Sequence, residues 1–169
     1  TKRAEGLNAE AGSSIVVEKL LVDRTDRPSG PRFGALVHAT LSTLSLRADE
    51  EAVRSEVESH ARQVGATPAE VAATQTVVGA AMAHSLMARA IESNDVRRES
   101  PVQFVDDDAI VEGYVDLAFR EEGRWVVVDF KTDADIGERE AAYRAQVGLY
   151  VKGIGQATGT EVDGYLFVL

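Results

Sequence analysis

Two residues near the C-terminal end of an apolar run could do chemistry together. Asp129 and Lys131 end residues 125–131, whose composition predicts a β-strand. Successive side chains of a strand point to opposite faces, so Asp129 and Lys131 share one face. A preceding β-rich run, residues 110–119, places Asp116 on one of its faces, and a tight turn would bring the two runs together. Two carboxylates and an ammonium group are therefore predicted to converge.

Such a group of side chains is suited to phosphate chemistry. Paired carboxylates bind hard divalent cations such as Mg²⁺, which take further ligands from water and from a substrate phosphate. A neighbouring lysine can orient or deprotonate a water molecule, or neutralise charge on the phosphoryl group. The predicted chemistry is hydrolysis of a phosphodiester.

The Asp-x-Lys pattern has a simpler interpretation as well. A short pattern of this kind, taken alone, is more often a solvated strand face. Its surroundings favour a site, because Val126, Val127 and Val128 indicate a central strand, where a charge at the strand end usually has a partner. Asp116 would provide that partner group.

The elements that must position these groups change character along the chain. The first half is predicted to be mostly helical, the second to hold an antiparallel meander, a helix and a last strand. Thr67, Pro68 and Glu70 form the pattern of a helix start with a capping box. Residues 13–23 fit either a strand or a helix. The predicted helices are residues 32–44, 49–64, 68–91 and 138–157, and the predicted strands are residues 102–105, 110–119, 125–130 and 162–169.

Length and composition predict one domain over residues 13–169, with residues 1–12 as a linker or the edge of a larger protein. Cysteine is absent, which removes an iron–sulfur cluster and any thiolate zinc site from consideration. No apolar run approaches the ~20 residues needed to cross a bilayer, so no membrane partner and a cytoplasmic location are expected. The formal net charge of −10 argues against tight binding of nucleic acid by charge alone.

Four motifs follow one another along the chain. They are Gly34 to His38 (G-x-x-x-H), Gly113 to Asp116 (G-x-x-D), Asp129 to Thr132 (D-x-K-T) and Gln146 to Tyr150 (Q-x-x-x-Y). In type and order they resemble the motifs of the RecB-like nuclease domain found at the end of bacterial UvrD-, RecB- and AddA-type helicases, within the PD-(D/E)xK superfamily. The resemblance covers residues 32–169.

The resemblance implies an α/β fold with a restriction-endonuclease-like core, a central mixed sheet flanked by helices, and a helical N-terminal half. It implies Mg²⁺ or Mn²⁺ as cofactor and no iron–sulfur cluster, and Lys131 as the catalytic lysine beside the catalytic acids Asp116 and Asp129. The implied metal ligands are His38, Asp116, Asp129 and the backbone carbonyl of Phe130. Residues implied to bind substrate or support the site are Gln146, Tyr150, Glu99 and Thr132.

His38 enters the site only through the resemblance, because a lone histidine in an apolar helix is more often a packed residue. It lies one turn after Gly34, so both share a helix face, and the missing side chain of Gly34 would let that face approach the sheet. A ligand role for His38 is therefore geometrically reasonable.

The function implied is a metal-dependent nuclease that acts in DNA recombination and repair, expected on single-stranded DNA fed by a helicase motor. No Walker-type phosphate loop occurs, so that motor is expected on a neighbouring domain or on another protein of the same complex. The alternatives are an inactive nuclease-like module that binds DNA or scaffolds a helicase complex, and a plain acidic interaction domain. Arg32, Arg144 and Lys152 are either phosphate contacts or solvated surface charges, the second being favoured.

Overall fold

A computed structural model describes residues 15–169, which divide into two units. The first, here the sheet unit, comprises the described residues up to Glu18 with Ser93–Asp129 and Ile136–Phe167. The second, here the helical unit, comprises Lys19–Glu92, Phe130–Asp135 and Val168–Leu169. The predicted linker at residues 1–12 lies outside the described residues, and one domain over residues 13–169 stays a prediction.

The described residues form a five-stranded sheet. Its strands are β1 (Val16–Lys19), β2 (Val96–Asp106), β3 (Ala109–Glu121), β4 (Arg124–Lys131) and β5 (Val162–Val168), in the order β1-β5-β4-β3-β2. Strands β2, β3 and β4 pair antiparallel, which confirms the predicted meander. Strands β4 and β5 run parallel, because Trp125 N–H donates to the Glu161 carbonyl at their beginning and Leu169 N–H to the Lys131 carbonyl at their end. The sheet is therefore mixed.

Strand β2 begins six residues before the predicted start at residue 102. Its first half is polar and contains Pro101, features that do not predict a strand. Because β2 is at the edge of the sheet, alternate residues face solvent. One side of the strand has no neighbouring strand, so a proline whose nitrogen faces that side breaks no hydrogen bond of the sheet. Two-residue turns join the meander, Asp107-Asp108 and Glu122-Gly123, and all four residues have positive φ, as expected for tight hairpins.

One helix, α5 (Glu140–Thr158), follows a 3₁₀ turn at Gly137–Arg139 and connects β4 to β5. Glycines let it approach the meander. A Cβ at Gly113 of β3 would lie 2.6 Å from Oη of Tyr150, and one at Gly153 of α5 would lie 2.5 Å from the ring of Phe104 in β2. The helix therefore covers the sheet face that carries Phe104 and Gly113. Asp116 projects from the opposite face, because its position in β3 has the other parity.

The helical unit contains α1 (Pro31–Thr43), α2 (Glu50–Val64), α3 (Pro68–Met82) and α4 (Ser85–Glu92). The predicted start of α3 is confirmed, because Thr67 and Glu70 form a capping box with Pro68 at the first helical position. Fully buried side chains of α1 to α4 form its core: Phe33, Leu36, Val37, Val57, Val77, Val78 and Leu86.

The single helix predicted over residues 68–91 was wrong, since α3 and α4 are separate helices bent by 60°. His84 Nδ1 accepts a hydrogen bond from Leu86 N–H, a side-chain cap that begins α4. The apolar spacing continues across the break, so periodicity did not reveal it. Within residues 15–169 no single helix is long and apolar enough to cross a membrane; only the bent pair α3–α4 meets the length and composition criteria.

The predicted class is confirmed: the chain has an α/β, restriction-endonuclease-like fold built on a mixed sheet, with four helices before the meander. The sheet holds the predicted acidic residues on β3 and β4, and the helix that carries the predicted histidine is α1.

Candidate metal centre

The register of β2 and β3 places Glu99 opposite Asp116. The ladder pairs Arg98 with Leu117 and Ser100 with Val115, and Glu99 and Asp116 are the residues between these pairs. The backbone of Glu99 has φ +47°, in the left-handed region, so the extended ladder is interrupted at this residue. Residues opposite each other in an antiparallel pair share a face, and Glu99 and Asp116 therefore belong to one side of the sheet.

The carboxylates of these two residues come together in the sheet unit. One oxygen of Glu99 lies within 4.8 Å of one oxygen of Asp116. Glu99 is exposed and Asp116 half-buried, so the pair is reachable from solvent. Two like charges at this separation repel each other, and a divalent cation between them would remove the repulsion. Hard carboxylate oxygens are the donors that Mg²⁺ and Mn²⁺ prefer, so this donor set fits the predicted metal.

Asp129 extends the acidic pair to a third strand. The ladder of β3 and β4 ends at the pair of Leu117 and Val128. Asp116 and Asp129 are the next residues of the two strands, and strand alternation gives them the same face of the sheet. Asp129 is only 2% exposed and follows Val128, which is fully buried. A buried carboxylate in this position needs compensation by hydrogen bonds or by positive charge. We call Glu99, Asp116 and Asp129 the carboxylate row.

Lys131 lies two residues after Asp129 and ends β4, so strand alternation gives the two residues the same face, as predicted. Lys131 is half-buried, and its backbone carbonyl accepts a hydrogen bond of 2.8 Å from Leu169 N–H. That bond, which lies within the helical unit, holds the end of the strand against the chain end. The backbone of the lysine is therefore fixed, while its side chain keeps access to solvent.

His38 belongs to the helical unit, on α1 one turn after Gly34. A Cβ at Gly34 would lie 2.9 Å from Oγ1 of Thr132, so this helix face does approach the end of β4, as expected from the glycine. The ring of His38 lies edge-on to the ring of Phe130, with centroids 6.3 Å apart. Within the helical unit, helix α1 thus places its histidine against Phe130.

The Q-x-x-x-Y pair supports the sheet. Gln146 Nε2 donates a 2.9 Å hydrogen bond to Oη of Tyr150, one helical turn away. Tyr150 is only 5% exposed and fills the space above Gly113, three residues before Asp116. This packing favours a supporting role for Tyr150, and contact of either residue with substrate stays a prediction.

The cations considered as phosphate contacts have acidic partners. Arg32 Nε lies 2.9 Å from the carboxylate of Glu70, Arg144 Nε lies 2.9 Å from that of Glu140, and Lys152 pairs with Asp106. Sequence reasoning did not single out Arg97 and Arg120. Both guanidinium groups lie 5.5 Å from the ring centre of Trp125, and that of Arg97 also pairs with Asp95 at 3.2 Å. The position of Arg97, two residues before Glu99 on one strand face, was the feature of the sequence that could have drawn attention to it.

Comparison with known proteins agrees with this geometry. The model of the PD-(D/E)XK nuclease superfamily matches residues 15–167. An ATP-dependent helicase/nuclease subunit of Clostridium botulinum (strain Loch Maree / Type A3) is 31% identical over 99 residues, 47% of this chain and 8% of that protein. The protein of the same name from Thermoanaerobacter sp. (strain X514) is 28% identical over 83 residues, 46% of this chain and 7% of that protein.

The chain therefore matches only a small part of these much longer relatives, whose names confirm the predicted likeness to helicase-associated, RecB-like nuclease domains. A family model that spans both units, together with a carboxylate row on β2, β3 and β4, leads to one assignment. The chain belongs to the PD-(D/E)XK nuclease superfamily.

Proposed function

We propose that this chain is a divalent-metal-dependent nuclease domain that hydrolyses phosphodiester bonds in DNA, with single-stranded DNA as its substrate. The observation that carries the proposal is the carboxylate row. Glu99 and Asp116 offer oxygens within 4.8 Å of each other, and Asp129 belongs to the same face of the neighbouring strand β4. Membership of the nuclease superfamily supports the same reaction class.

The proposed ligands of the cation are Asp116, Asp129, the backbone carbonyl of Phe130 and His38, as the family resemblance implied, with Glu99 added. Glu99 was predicted to support the site, and its position beside the Asp116 carboxylate favours direct ligation. Bound there, Mg²⁺ or Mn²⁺ would act as a Lewis acid on the phosphate and lower the pKa of a water molecule. The carboxylates would balance the charge of the cation, and the ring of His38 lies edge-on to the ring of Phe130.

Lys131 is proposed to act on the substrate. Its ammonium group, on the same strand face as Asp129, would neutralise charge that develops on the phosphoryl oxygens or orient the attacking water. A half-buried lysine at a strand end keeps its backbone fixed while its flexible stem reaches the substrate. Thr132 would support this end of the strand through its close approach to Gly34.

Delivery of DNA is proposed to depend on a partner. With a formal net charge of −10, the domain alone attracts a polyanion weakly. The similar proteins are named as helicase/nuclease subunits. A motor that feeds one strand into the nuclease would supply a high effective concentration. On this basis we propose a role beside a helicase motor in DNA recombination and repair.

The proposal is tested with end-labelled single-stranded DNA incubated with this chain in Mg²⁺ or Mn²⁺, and in EDTA. We expect cleavage only with metal, and a loss of about a hundredfold or more in Asp116→Asn and in Lys131→Ala. Asp108→Asn removes an exposed carboxylate from the β2–β3 turn and should cleave like the unchanged chain. Circular dichroism and melting temperature establish that each variant folds.

Equal cleavage by all four proteins would contradict the assignment of the site. Metal-independent retention of DNA without any cleavage would instead favour the inactive, DNA-binding module. A duplex of the same sequence, compared at equal concentration, tests the preference for a single strand.

A further inference from the structure

The face of the sheet that carries Glu99 and Asp116 continues along β2 and β3 towards their connecting turn. The next residues on this face are Pro101 and Tyr114, which are Cα partners in the ladder. Both are exposed, Tyr114 to 63%, although large aromatic side chains are more often buried. An aromatic ring backed by a proline therefore lies on the open surface immediately beside the proposed metal ligands.

We propose that Tyr114 is a base-stacking residue for the nucleotide next to the scissile phosphate. The inference rests on the proposed nuclease function and adds to it the part of the substrate that is recognised. Tyr114 and Asp116 are two residues apart on one strand face, or about 6.6 Å along the strand. A nucleotide whose phosphate lies at the carboxylate row can place its base over a ring at that distance.

Stacking of this kind selects a single strand. Every base has a π-face, so stacking on tyrosine is tolerant of sequence. In a duplex the bases are already stacked on one another and their faces are closed to a side chain. Tyr114 would therefore bind unpaired nucleotides and discriminate against intact duplex.

Arg97 lies on the other side of the carboxylate row, two residues before Glu99 on the same strand. Its guanidinium group lies over Trp125 and pairs with Asp95 at 3.2 Å, so its charge is already matched by a carboxylate. The exposed ring of Tyr114 therefore marks the side of the carboxylate row on which a base can stack.

Beyond Tyr114 the surface no longer suits a nucleic acid backbone. Glu112 is the next residue on this face of β3, and the turn carries Asp107 and Asp108. These carboxylates would repel phosphates, so we expect contact with DNA to end near Tyr114. Ile110, 68% exposed and farther along the same face, then serves as a matched control for an exposed apolar side chain.

The test measures kcat and KM on a short single-stranded oligonucleotide with Mn²⁺, for the unchanged chain and three variants. Tyr114→Ala should raise KM about 5- to 150-fold, the range expected for one stacked base, with kcat changed much less. Tyr114→Phe keeps the ring and should keep KM, and Ile110→Ser should behave like the unchanged chain.

A second substrate separates stacking from other losses. In the second oligonucleotide the bases around the cut site are replaced by abasic residues, and the KM of the unchanged chain should rise by the same factor as in Tyr114→Ala. The KM of Tyr114→Ala should be no higher on this substrate than that of the unchanged chain, because the stacking interaction is already absent. A higher KM would mean that Tyr114 acts through something other than a base, and would overturn the inference.

Two further results would overturn the inference while leaving the nuclease intact. One is an unchanged KM in Tyr114→Ala. The other is an equal rise of KM in Ile110→Ser, which would show that the effect does not depend on an aromatic ring beside the metal ligands. If the unchanged chain cleaves nothing with any metal, the proposed nuclease function fails. Stacking on Tyr114 is then tested by binding of the two oligonucleotides in Ca²⁺, measured by fluorescence anisotropy. Equal affinities of the unchanged chain and Tyr114→Ala for the unmodified oligonucleotide would contradict stacking.

Discussion

Glu99 has the backbone conformation that is hardest to reconcile with its place in a strand. A non-glycine residue at φ +47° carries a cost of about 1–3 kcal/mol, and such strain is concentrated at functional sites. Here it interrupts the β2–β3 ladder opposite Asp116, where an exposed carboxylate has to meet a half-buried one. The left-handed backbone thus lies at the point where the carboxylates of Glu99 and Asp116 come together.

Gly113 supports the same row from the other face. A methyl group at this position would lie 2.6 Å from Oη and 2.7 Å from Cε1 of Tyr150, closer than real Cβ contacts. Because Tyr150 is buried, it has little room to move, and we expect Gly113→Ala to destabilise the fold by about 1–3 kcal/mol. Chemical denaturation, followed by circular dichroism, measures this change.

The control for this prediction is another glycine replaced by the same residue. Gly79, within α3, has nothing within 4 Å of a Cβ. Alanine favours the helix over glycine by up to about 1 kcal/mol, so Gly79→Ala should leave stability unchanged or raise it. If the two substitutions change the free energy of unfolding equally, the close approach of Tyr150 to Gly113 is not what makes Gly113→Ala destabilising.

At the scale of elements, an ion pair joins α1 to the start of α3. Arg32 Nε lies 3.0 and 2.9 Å from the two oxygens of Glu70, whose side chain is only 8% exposed. The same carboxylate accepts hydrogen bonds from Thr67 N–H and its hydroxyl. One side chain thus completes the helix cap and holds the helix that carries His38.

The Arg32 guanidinium, followed by the Thr67 backbone N–H, lowers the pKa of Glu70 from its ordinary 4.5. A carboxylate with a lowered folded-state pKa stabilises the fold above its unfolded value and loses that contribution as pH falls through the folded value. We therefore expect Glu70→Gln to lower the melting temperature at pH 7. The difference from the unchanged chain should narrow as the pH falls below about 4.5.

A glutamate on a neighbouring helix provides the comparison. Glu51 pairs with Arg54 on α2 with its side chain 75% exposed, an arrangement that contributes little to stability. Glu51→Gln should melt like the unchanged chain at every pH between 3 and 7. A pH-independent loss in Glu70→Gln would mean that the hydrogen bonds accepted by the carboxylate oxygens stabilise the fold, and that the charge does not.

At the scale of the whole molecule, negative charge dominates. The net charge of −10 includes the acids of the carboxylate row, and a cation bound there would stabilise the folded state by mass action. At a hundred times its Kd the gain is about 2.7 kcal/mol, a rise of roughly 5 to 10 °C in melting temperature for a domain of this size. A thermal scan with and without Mn²⁺ measures it.

This rise should depend on the carboxylate row. Asp116→Asn removes one charged ligand and should lose most of the Mn²⁺-dependent shift, whereas Asp108→Asn should keep it. A shift of the same size in both variants would indicate diffuse binding to surface acids. No shift in the unchanged chain would favour the plain acidic interaction domain over a metal enzyme.

Local patterns determined much of this protein. Strand alternation alone put Asp129 and Lys131 on one face, and the capping box alone began α3 at Pro68, because both depend on geometry within a few consecutive residues. The order of four short motifs was enough to predict the family and the α/β fold. Each of these features depends on residues that are close together in the sequence.

Only the tertiary structure decided which distant residues meet. The position of Glu99 opposite Asp116 depends on the register of β2 against β3. The left-handed backbone of Glu99 depends on the residues packed around it. The break between α3 and α4 leaves the apolar spacing unchanged, so its cause is the cap at His84 and the packing around it. Register and packing arise from interactions between segments far apart in sequence, and a pattern read along one segment does not contain them.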